Sequence, residues 1–179
     1  SGTYRFPAEF MLVAAMNPCA CGYFPDRNRC RCREWEVERY LEKLSRPLLD
    51  RIDICTEAPR LSYEELSGNR KEESTAQIRE RVKAAHRMQQ ERCRGLPVYF
   101  NAHLSGKAVE RYCLLGREEQ KLLREAFEKL NLSARAYHKV IKVSRTIADL
   151  EQEERIRGRH ILEALSYRAP EREDQGREG

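Results

Sequence analysis

The sequence lacks the features that define several classes of protein. No run of about 18 apolar residues occurs, so a membrane-spanning helix is not predicted. No basic stretch followed by an apolar segment stands near its start, so no secretory signal is expected. It has no GxSxG motif, and its four histidines are scattered without a partner ligand, which argues against a nucleophilic serine or histidine metal site. Aromatic residues make up only 8%. The composition predicts a soluble, helix-rich protein with a modest core, and no membrane partner is expected. The cysteine pattern fits a reducing cytoplasm better than a disulfide-bonded scaffold, so a cytoplasmic location is expected.

Cysteines are the most informative residues present. Four of the seven form two CxC pairs, Cys19 with Cys21 and Cys30 with Cys32, on either side of a polar loop. If the loop folds the second pair onto the first, four thiolates can bind Zn²⁺ tetrahedrally at about 2.3 Å. No histidine stands among them, so the pattern predicts a closed, structural zinc site. The alternative is a set of reduced cysteines in a flexible loop. The remaining cysteines are expected to be buried or half-buried packing residues: Cys55, Cys93 and Cys113.

Arginines surround the cysteine pairs at Arg27, Arg29, Arg31 and Arg33. Their positive charges would offset the charge of −2 on a zinc ion bound by four thiolates. The same side chains could contact DNA phosphates. Both interpretations remain open at this stage. The net charge of +5 is compatible with a nucleic-acid partner, although a solvated helix surface explains mixed charge equally well.

Hydrophobic patterning predicts a small sheet segment followed by a helical bundle. Short apolar runs at 9–16 and 51–57 are typical of buried strands. Helices are predicted at about 33–44, 62–67, 74–93, 105–112, 117–130, 133–150 and 159–167, with 98–101 extended. We therefore divide the chain into a core part (1–60), a connector (61–73), a helical domain (74–169) and a disordered tail (170–179). The helical domain is expected to bury Ile78, Val82, Leu122, Phe127, Leu130, Tyr137, Val140, Ile141, Ile147 and Leu165.

Three motifs carry a resemblance to a known family. They are VAAMNPCACGY at 13–23, LLDRIDI at 48–54, and LSARAYH at 132–138 followed by SRTIADL at 144–150. In this order and at these separations, the sequence resembles the Mg chelatase-like AAA+ ATPases of the ComM and YifB type, from about residue 4 to 168. The resemblance implies an α+β, mainly helical fold. A fragment of an AAA+ core, with two short strands and a zinc knuckle, would precede a helical lid bundle.

One departure from the family is complete. The chain has no GxxxxGK[ST] phosphate loop and no acidic strand end for magnesium, which lie upstream in the family. We therefore expect the C-terminal part of a longer protein. ATP and Mg²⁺ are expected cofactors of the full-length protein only, and this chain alone is predicted not to hydrolyse ATP.

The resemblance assigns roles to three residues. Asn17 matches sensor 1, whose carboxamide contacts the γ-phosphate and the attacking water, although it could merely start a turn before Pro18. Arg51 matches the arginine finger, which acts on the ATP of a neighbouring subunit, and the alternative is a surface arginine paired with Asp50 or Asp53.

Arg135 matches sensor 2, a lid arginine that contacts nucleotide phosphates. His138, Lys142 and Arg145 are expected on the same polar side of its helix. The alternative is a plain exposed basic face, and whether Arg135 acts within its own subunit stays open.

The function implied is that of a ring-forming ATPase, expected to be a hexamer, that works on DNA in the bacterial cytoplasm. ComM-type members act as helicases in branch migration. Two alternatives remain. One is a subunit of a magnesium chelatase-type motor that drives metal insertion into a porphyrin. The other is a non-enzymatic, zinc-containing module for DNA binding or scaffolding.

Overall fold

The computed structural model describes residues 2–6, 8–68 and 73–168. The chain divides into two compact units, Ser1–Leu48 and Leu49–Gly179. Residues 69–72 of the predicted connector and the predicted tail lie outside the described residues. No helix within the described ranges is long and apolar enough to cross a membrane. The helices are α1 (Glu34–Leu41), α2 (Arg46–Leu49), α3 (Tyr63–Ser67), α4 (Thr75–Arg92), α5 (Lys107–Tyr112), α6 (Arg117–Lys129), α7 (Ala134–Leu150) and α8 (Gly158–Ser166), with a 3₁₀ turn at Asn101–His103.

The mainly helical class is confirmed, but the two predicted strands are wrong. Neither 9–16 nor 51–57 forms a strand, and the described ranges contain none. The side chains of Phe10, Met11 and Val13 are 76%, 87% and 81% exposed. An extended segment becomes a strand only when a neighbouring strand supplies its hydrogen-bond partners, and neither segment has such a neighbour among the described residues.

The first unit contains the cysteine loop and α1. The backbone N–H of Arg33 donates to Oε2 of Glu36 at 2.7 Å, which satisfies one group at the start of the helix. Val37 is the buried residue of this helix, whereas Trp35 is 53% exposed. The predicted helix is therefore confirmed over a shorter range, and its buried face is small.

Local hydrogen bonds fix the starts of the long helices in the second unit. The backbone N–H of Gln77 donates to Oγ of Ser74 at 3.3 Å, and the N–H of Ser74 donates to Oε1 of Gln77 at 2.9 Å. This reciprocal pair is a capping box. Ser133 caps α7 in the same way through the N–H of Ala136, at 3.1 Å. The predicted starts of α4 and α7 are thus confirmed.

Helix α7 is the centre of the second unit, since it packs against α4, α5, α8 and the 3₁₀ turn. Three of the residues predicted to be buried are buried in the structure: Val140, Ile141 and Ile147. Four others are half-buried: Leu122, Leu130, Tyr137 and Leu165. The prediction is wrong for three others: Ile78, Val82 and Phe127 are 42%, 38% and 40% exposed. The only buried residues of α4 are Ala85 and Gln89. The apolar face of α4 therefore extends towards the N-terminus of the helix, beyond the residues that are buried against the rest of the second unit.

A buried ionic network lies in this core. Asp149 is 0% exposed and accepts hydrogen bonds from Arg92 (Oδ2, 2.9 Å), Asn101 (Oδ2, 2.8 Å) and Arg145 (Oδ1, 3.1 Å). Arg145 is 2% exposed, so its predicted place on the polar side with Arg135 is wrong. It lies ten residues after Arg135, which turns it by about 80° around the helix and into the core.

Replacing Asp149 with alanine is expected to lower the free energy of unfolding by about 3–5 kcal/mol, because Arg92 and Arg145 would lose their buried counterion. Denaturant unfolding of the variant measures this. The control is Glu91→Ala, which removes an exposed ion pair with Arg94 and should change stability by less than about 1 kcal/mol. A similar small loss for both variants would contradict a structural role for the network.

Candidate nucleotide-contact site and metal centre

A cavity of about 410 Å³ opens on the second unit beside the first half of α7. Three segments contribute to its lining: residues 50–53, residues 104–109 and α7. The charged or titratable lining residues are Asp50, Arg51, Asp53, Arg135, His138, Lys139 and Lys142. Four cations therefore face two carboxylates and one imidazole. This excess of positive charge suits an anionic ligand.

Helix geometry places the cations of α7 on one side. Arg135 lies in the first turn, and Lys139 and Lys142 follow at intervals of four and three residues, so they share a face. Arg135 is exposed. Its backbone is held by the capped start of α7 at Ser133. The structure thus presents Arg135 from a rigid element.

Lys139 connects the segment around Arg51 to this helix. Its Nζ donates to the carbonyl oxygens of Asp50, at 3.2 Å, and of Ile52, at 2.6 Å. These two carbonyls flank Arg51, so the lysine fixes the backbone of Arg51 relative to α7. This role of Lys139 was not predicted from the sequence. Its signal was the spacing of four residues from Arg135, which predicts a shared helix face.

Two further residues of the cavity have distinct surroundings. Nζ of Lys142 donates to the carbonyl oxygen of Ala102 at 2.9 Å, which ties α7 to the 3₁₀ turn. Nδ1 of His138 is buried and has no hydrogen-bond partner among the described residues. The His138 ring meets Tyr137 edge-on, with centroids 5.4 Å apart. The expectation that His138 and Lys142 lie near Arg135 is confirmed, since all three line the cavity.

The structure therefore brings together Arg51 and Arg135, two of the predicted phosphate-contacting residues. Asn17 belongs to the first unit, where it is exposed and its carboxamide lies beside Gly22. The φ angle of Gly22 is +77°, a conformation that favours glycine. The role of Asn17 as sensor 1 remains a prediction.

The four clustered cysteines form the second candidate site. Their Sγ atoms all lie within 4.8 Å of one another. The distances are 3.4 Å from Cys19 to Cys21, 3.8 Å from Cys19 to Cys30 and 3.6 Å from Cys21 to Cys30. Four sulfurs at about 2.3 Å from a zinc ion form a tetrahedron with edges of about 3.8 Å. The donor set and its spacing therefore fit a tetrahedral thiophilic ion.

Turns in the backbone bring the two cysteine pairs together. The N–H of Gly22 donates to the carbonyl oxygen of Cys19 at 3.0 Å, and the N–H of Cys30 donates to that of Asp26 at 2.7 Å. The Asp26 side chain accepts from the N–H of Asn28 at 3.1 Å, which closes a local Asx turn. We name residues 19–33 the cysteine hairpin. The polar loop predicted between the two cysteine pairs is thus confirmed.

The electrostatics of the hairpin lower the pKa of two of the four clustered thiols, Cys19 and Cys21, and raise the pKa of the other two, Cys30 and Cys32. Hydrogen bonds from the backbone of Tyr23 and Arg31 lower the pKa of Cys21 to about 6. Burial opposes ionisation of Cys19, but backbone hydrogen bonds, led by Phe24, outweigh it and lower the pKa of Cys19. Burial raises the pKa of Cys30. Backbone donors thus stabilise part of the negative charge, and a divalent cation would supply the rest.

A second cluster, Glu151, Glu153 and His160, has liganding atoms equally close together. Arg159 already donates to both carboxylates, at 2.8 Å for Glu151. Nδ1 of His160 accepts from the N–H of Arg157 at 3.0 Å. The hydrogen-bonding capacity of these side chains is therefore used within the cluster, at the start of α8. The cluster is therefore a structural ion-pair network.

Comparisons with known proteins bear on both units. The family model described as "Magnesium chelatase, subunit ChlI C-terminal" matches residues 72–168, and the one described as "Magnesium chelatase, subunit ChlI" matches residues 1–66. The chain belongs to the Mg chelatase-like family. The resemblance stated from the sequence motifs is thus confirmed. The two matches divide the chain between residues 66 and 72, whereas the compact units divide after Leu48.

Curated relatives cover nearly the whole chain. The competence protein ComM of Haemophilus influenzae is 45% identical over 167 residues, which is 92% of this chain and 32% of that protein. The YifB proteins of Salmonella typhimurium and Escherichia coli are 41% and 40% identical, each over 93% of this chain and 32% of the relative. This Mg chelatase-like chain therefore spans about one third of the length of the curated relatives it matches.

Proposed function

We propose that this chain is the C-terminal part of a ring-forming AAA+ ATPase and supplies groups that contact the γ-phosphate of ATP. The observation that carries the proposal is that Arg51 and Arg135 line one basic cavity. Residues 1–60 would complete the nucleotide core, 74–169 would form its lid, and 61–73 would connect them. A phosphate loop and Mg²⁺ site elsewhere in the protein would hold the nucleotide.

The chemistry of the two arginines suits phosphoryl transfer. In this proposal the planar guanidinium of Arg51 donates to oxygens of the γ-phosphoryl group as the bond to the bridging oxygen breaks and charge accumulates. Arg135 donates to the phosphates from the lid. Because both side chains line the same cavity, both address one nucleotide. If Arg51 serves the ATP of a neighbouring subunit, Arg135 serves that same ATP.

Asn17 has a separate part in this mechanism. Its amide oxygen would accept a hydrogen bond from the attacking water, and its NH₂ group would donate to the γ-phosphate of its own subunit's ATP. A zinc ion held by Cys19, Cys21, Cys30 and Cys32 would have a structural role, because all four of its positions would be taken by thiolates.

We further propose that the assembled protein is a hexameric, cytoplasmic motor acting on DNA in a helicase or branch-migration reaction. The net charge of +5 and the exposed arginines of the cysteine hairpin are compatible with a nucleic-acid partner, and one relative is named as a competence protein. The Mg chelatase alternative accounts for the nucleotide cavity but does not explain why the chain carries the cysteine hairpin. DNA handling is therefore the better-supported function.

ATP turnover tests the proposal. The full-length protein is expected to hydrolyse ATP, with stimulation by DNA, and the 179-residue chain alone is expected to show no turnover above background. A phosphate-release assay on both proteins measures this. Hydrolysis by the chain alone that Arg51→Ala abolishes would refute the assignment, because the catalytic site would then need no other part of the protein.

A further inference from the structure

We propose that the cysteine hairpin carries a binding cleft for single-stranded DNA. The inference rests on the proposed function, which makes DNA the polymer on which the protein acts. Beyond the proposed function, the inference names the surface that contacts DNA, the form of DNA that binds there and the residues that bind it. None of these follows from the membership of the family.

The cleft lies on the surface of the hairpin and has a volume of about 550 Å³. Its lining consists of Cys21, Tyr23, Asn28, Arg29 and Arg31. Small-molecule sites commonly have volumes of about 300–1,000 Å³, so the cleft can accept one nucleotide unit. It is too small for a duplex to enter.

Aromatic and guanidinium groups are paired on the hairpin. The guanidinium carbon of Arg29 lies 5.8 Å from the centre of the Tyr23 ring, and that of Arg27 lies 5.1 Å from the centre of Phe24. The Tyr23 side chain is exposed. Exposed aromatic rings bind unpaired bases by stacking, and neighbouring arginines bind the phosphates. The combination at Tyr23 and Arg29 fits a base followed by its phosphate.

The charges of the hairpin separate into two groups. Arg27 forms an ion pair with Glu34 at 3.1 Å, which assigns it to α1. Arg29 and Arg31 are exposed and line the cleft. They would also offset the negative charge of the metal centre, but a guanidinium has five N–H donors and can serve both partners. The positive charge of the cleft is therefore complementary to a phosphate backbone.

The cleft is preorganised. The carbonyl oxygen of Asp26 accepts from the N–H groups of Arg29, at 3.1 Å, and of Cys30, at 2.7 Å. The cysteine cluster holds the two CxC pairs of the hairpin together, with all four Sγ atoms within 4.8 Å of one another. Because the loop is already ordered, little conformational entropy would be lost on binding. A single strand is favoured over a duplex because stacking on Tyr23 requires an unpaired base.

The test measures binding of fluorescent oligothymidylate to the chain by anisotropy at several salt concentrations. Tyr23→Ala is expected to weaken binding by at least about fivefold, the lower end of the effect of removing one stacked base. Arg29→Gln and Arg31→Gln should each reduce the slope of log K against log salt concentration by about 0.7 for every phosphate that the variant no longer neutralises.

Matched controls are Tyr63→Ala, an exposed tyrosine of α3, and Arg39→Gln, an exposed arginine of α1. The metal content of each variant shows whether its hairpin remains folded. If Tyr23→Ala loses its metal, the result for Arg31→Gln decides the test in its place.

Each outcome decides the inference. Weaker binding in the cleft variants alone, with a preference for oligothymidylate over a duplex of equal length, supports it. Unchanged binding in all the cleft variants overturns the cleft but leaves a DNA-handling function intact. Tighter binding to the duplex overturns the single-strand assignment. If the chain binds no DNA, the inference fails, and DNA-stimulated ATP turnover of the full-length protein shows separately whether the proposed function survives.

Discussion

Replacing Arg51 with alanine is expected to lower ATP turnover by the full-length protein about 10³- to 10⁵-fold, the range observed for loss of an arginine finger. The effect should fall on kcat, because the guanidinium interacts most strongly with charge that develops as the γ-phosphoryl group leaves. Steady-state phosphate release with varied ATP separates kcat from KM. Arg51→Lys should recover little activity, since an ammonium group cannot make the planar, two-pronged contact.

The control for this prediction is Arg79→Ala, which removes an exposed arginine of α4 that does not line the cavity. It should retain activity within about twofold, because Arg79 does not line the cavity and surface substitutions usually change stability by no more than about 0.5 kcal/mol. Equal activity of the Arg51 and Arg79 variants would assign Arg51 to an ordinary surface role. The fold of the Arg51 variant should be intact, because Lys139 binds the backbone carbonyls on either side of this residue and makes no use of its side chain.

Removal of zinc from the four clustered cysteines is expected to unfold the cysteine hairpin, which is the second large effect that we predict. Protein purified without chelator should contain about one zinc ion per chain, and a strong chelator should remove it and expose the four clustered thiols to titration. After metal removal, the hydrogen-exchange rates of the backbone amides in residues 19–33 should rise to those of an unfolded peptide. Exchange of the α7 core should stay slow, because that core contains none of the clustered cysteines.

Single-cysteine variants distinguish the cluster from the other thiols. Cys21→Ser should lose most of the zinc, because it removes one of four ligands. Cys55→Ser changes a half-buried thiol outside the cluster and should keep a full equivalent. Less than about half an equivalent of metal in the unmodified chain, with all seven cysteines titrating freely, would contradict the metal assignment.

Local interactions explain which parts of the fold were predictable. Ser74 and Ser133 cap helices through bonds within three residues, so the starts of α4 and α7 follow from the sequence. The clustering of the cysteines likewise follows from their close spacing. The strands failed because strand formation depends on partners distant in sequence, and exposed apolar side chains such as Met11 show no such partner in the described residues.

Packing over longer distances was the other source of error. Periodicity placed Ile78 on the same helix face as Ala85 but could not show how far the neighbouring helix reaches. Arg145 was expected at the surface because arginine usually is. Its spacing of four residues from Asp149, among apolar neighbours, was the signal for a buried pair. The meeting of Arg51 and Arg135 in one cavity depends on tertiary structure alone, since no local pattern connects residues so far apart.

The most direct measurement of the central claim is a double-mutant cycle on ATP turnover with Arg51→Ala, Arg135→Ala and the double variant in the full-length protein. Because both arginines line one cavity, we expect their effects on kcat to be non-additive, with a coupling energy of about 1–3 kcal/mol. The double variant should then be little slower than Arg51→Ala alone. Effects that add within about 0.5 kcal/mol would show that the two side chains act at separate sites and would contradict the shared triphosphate.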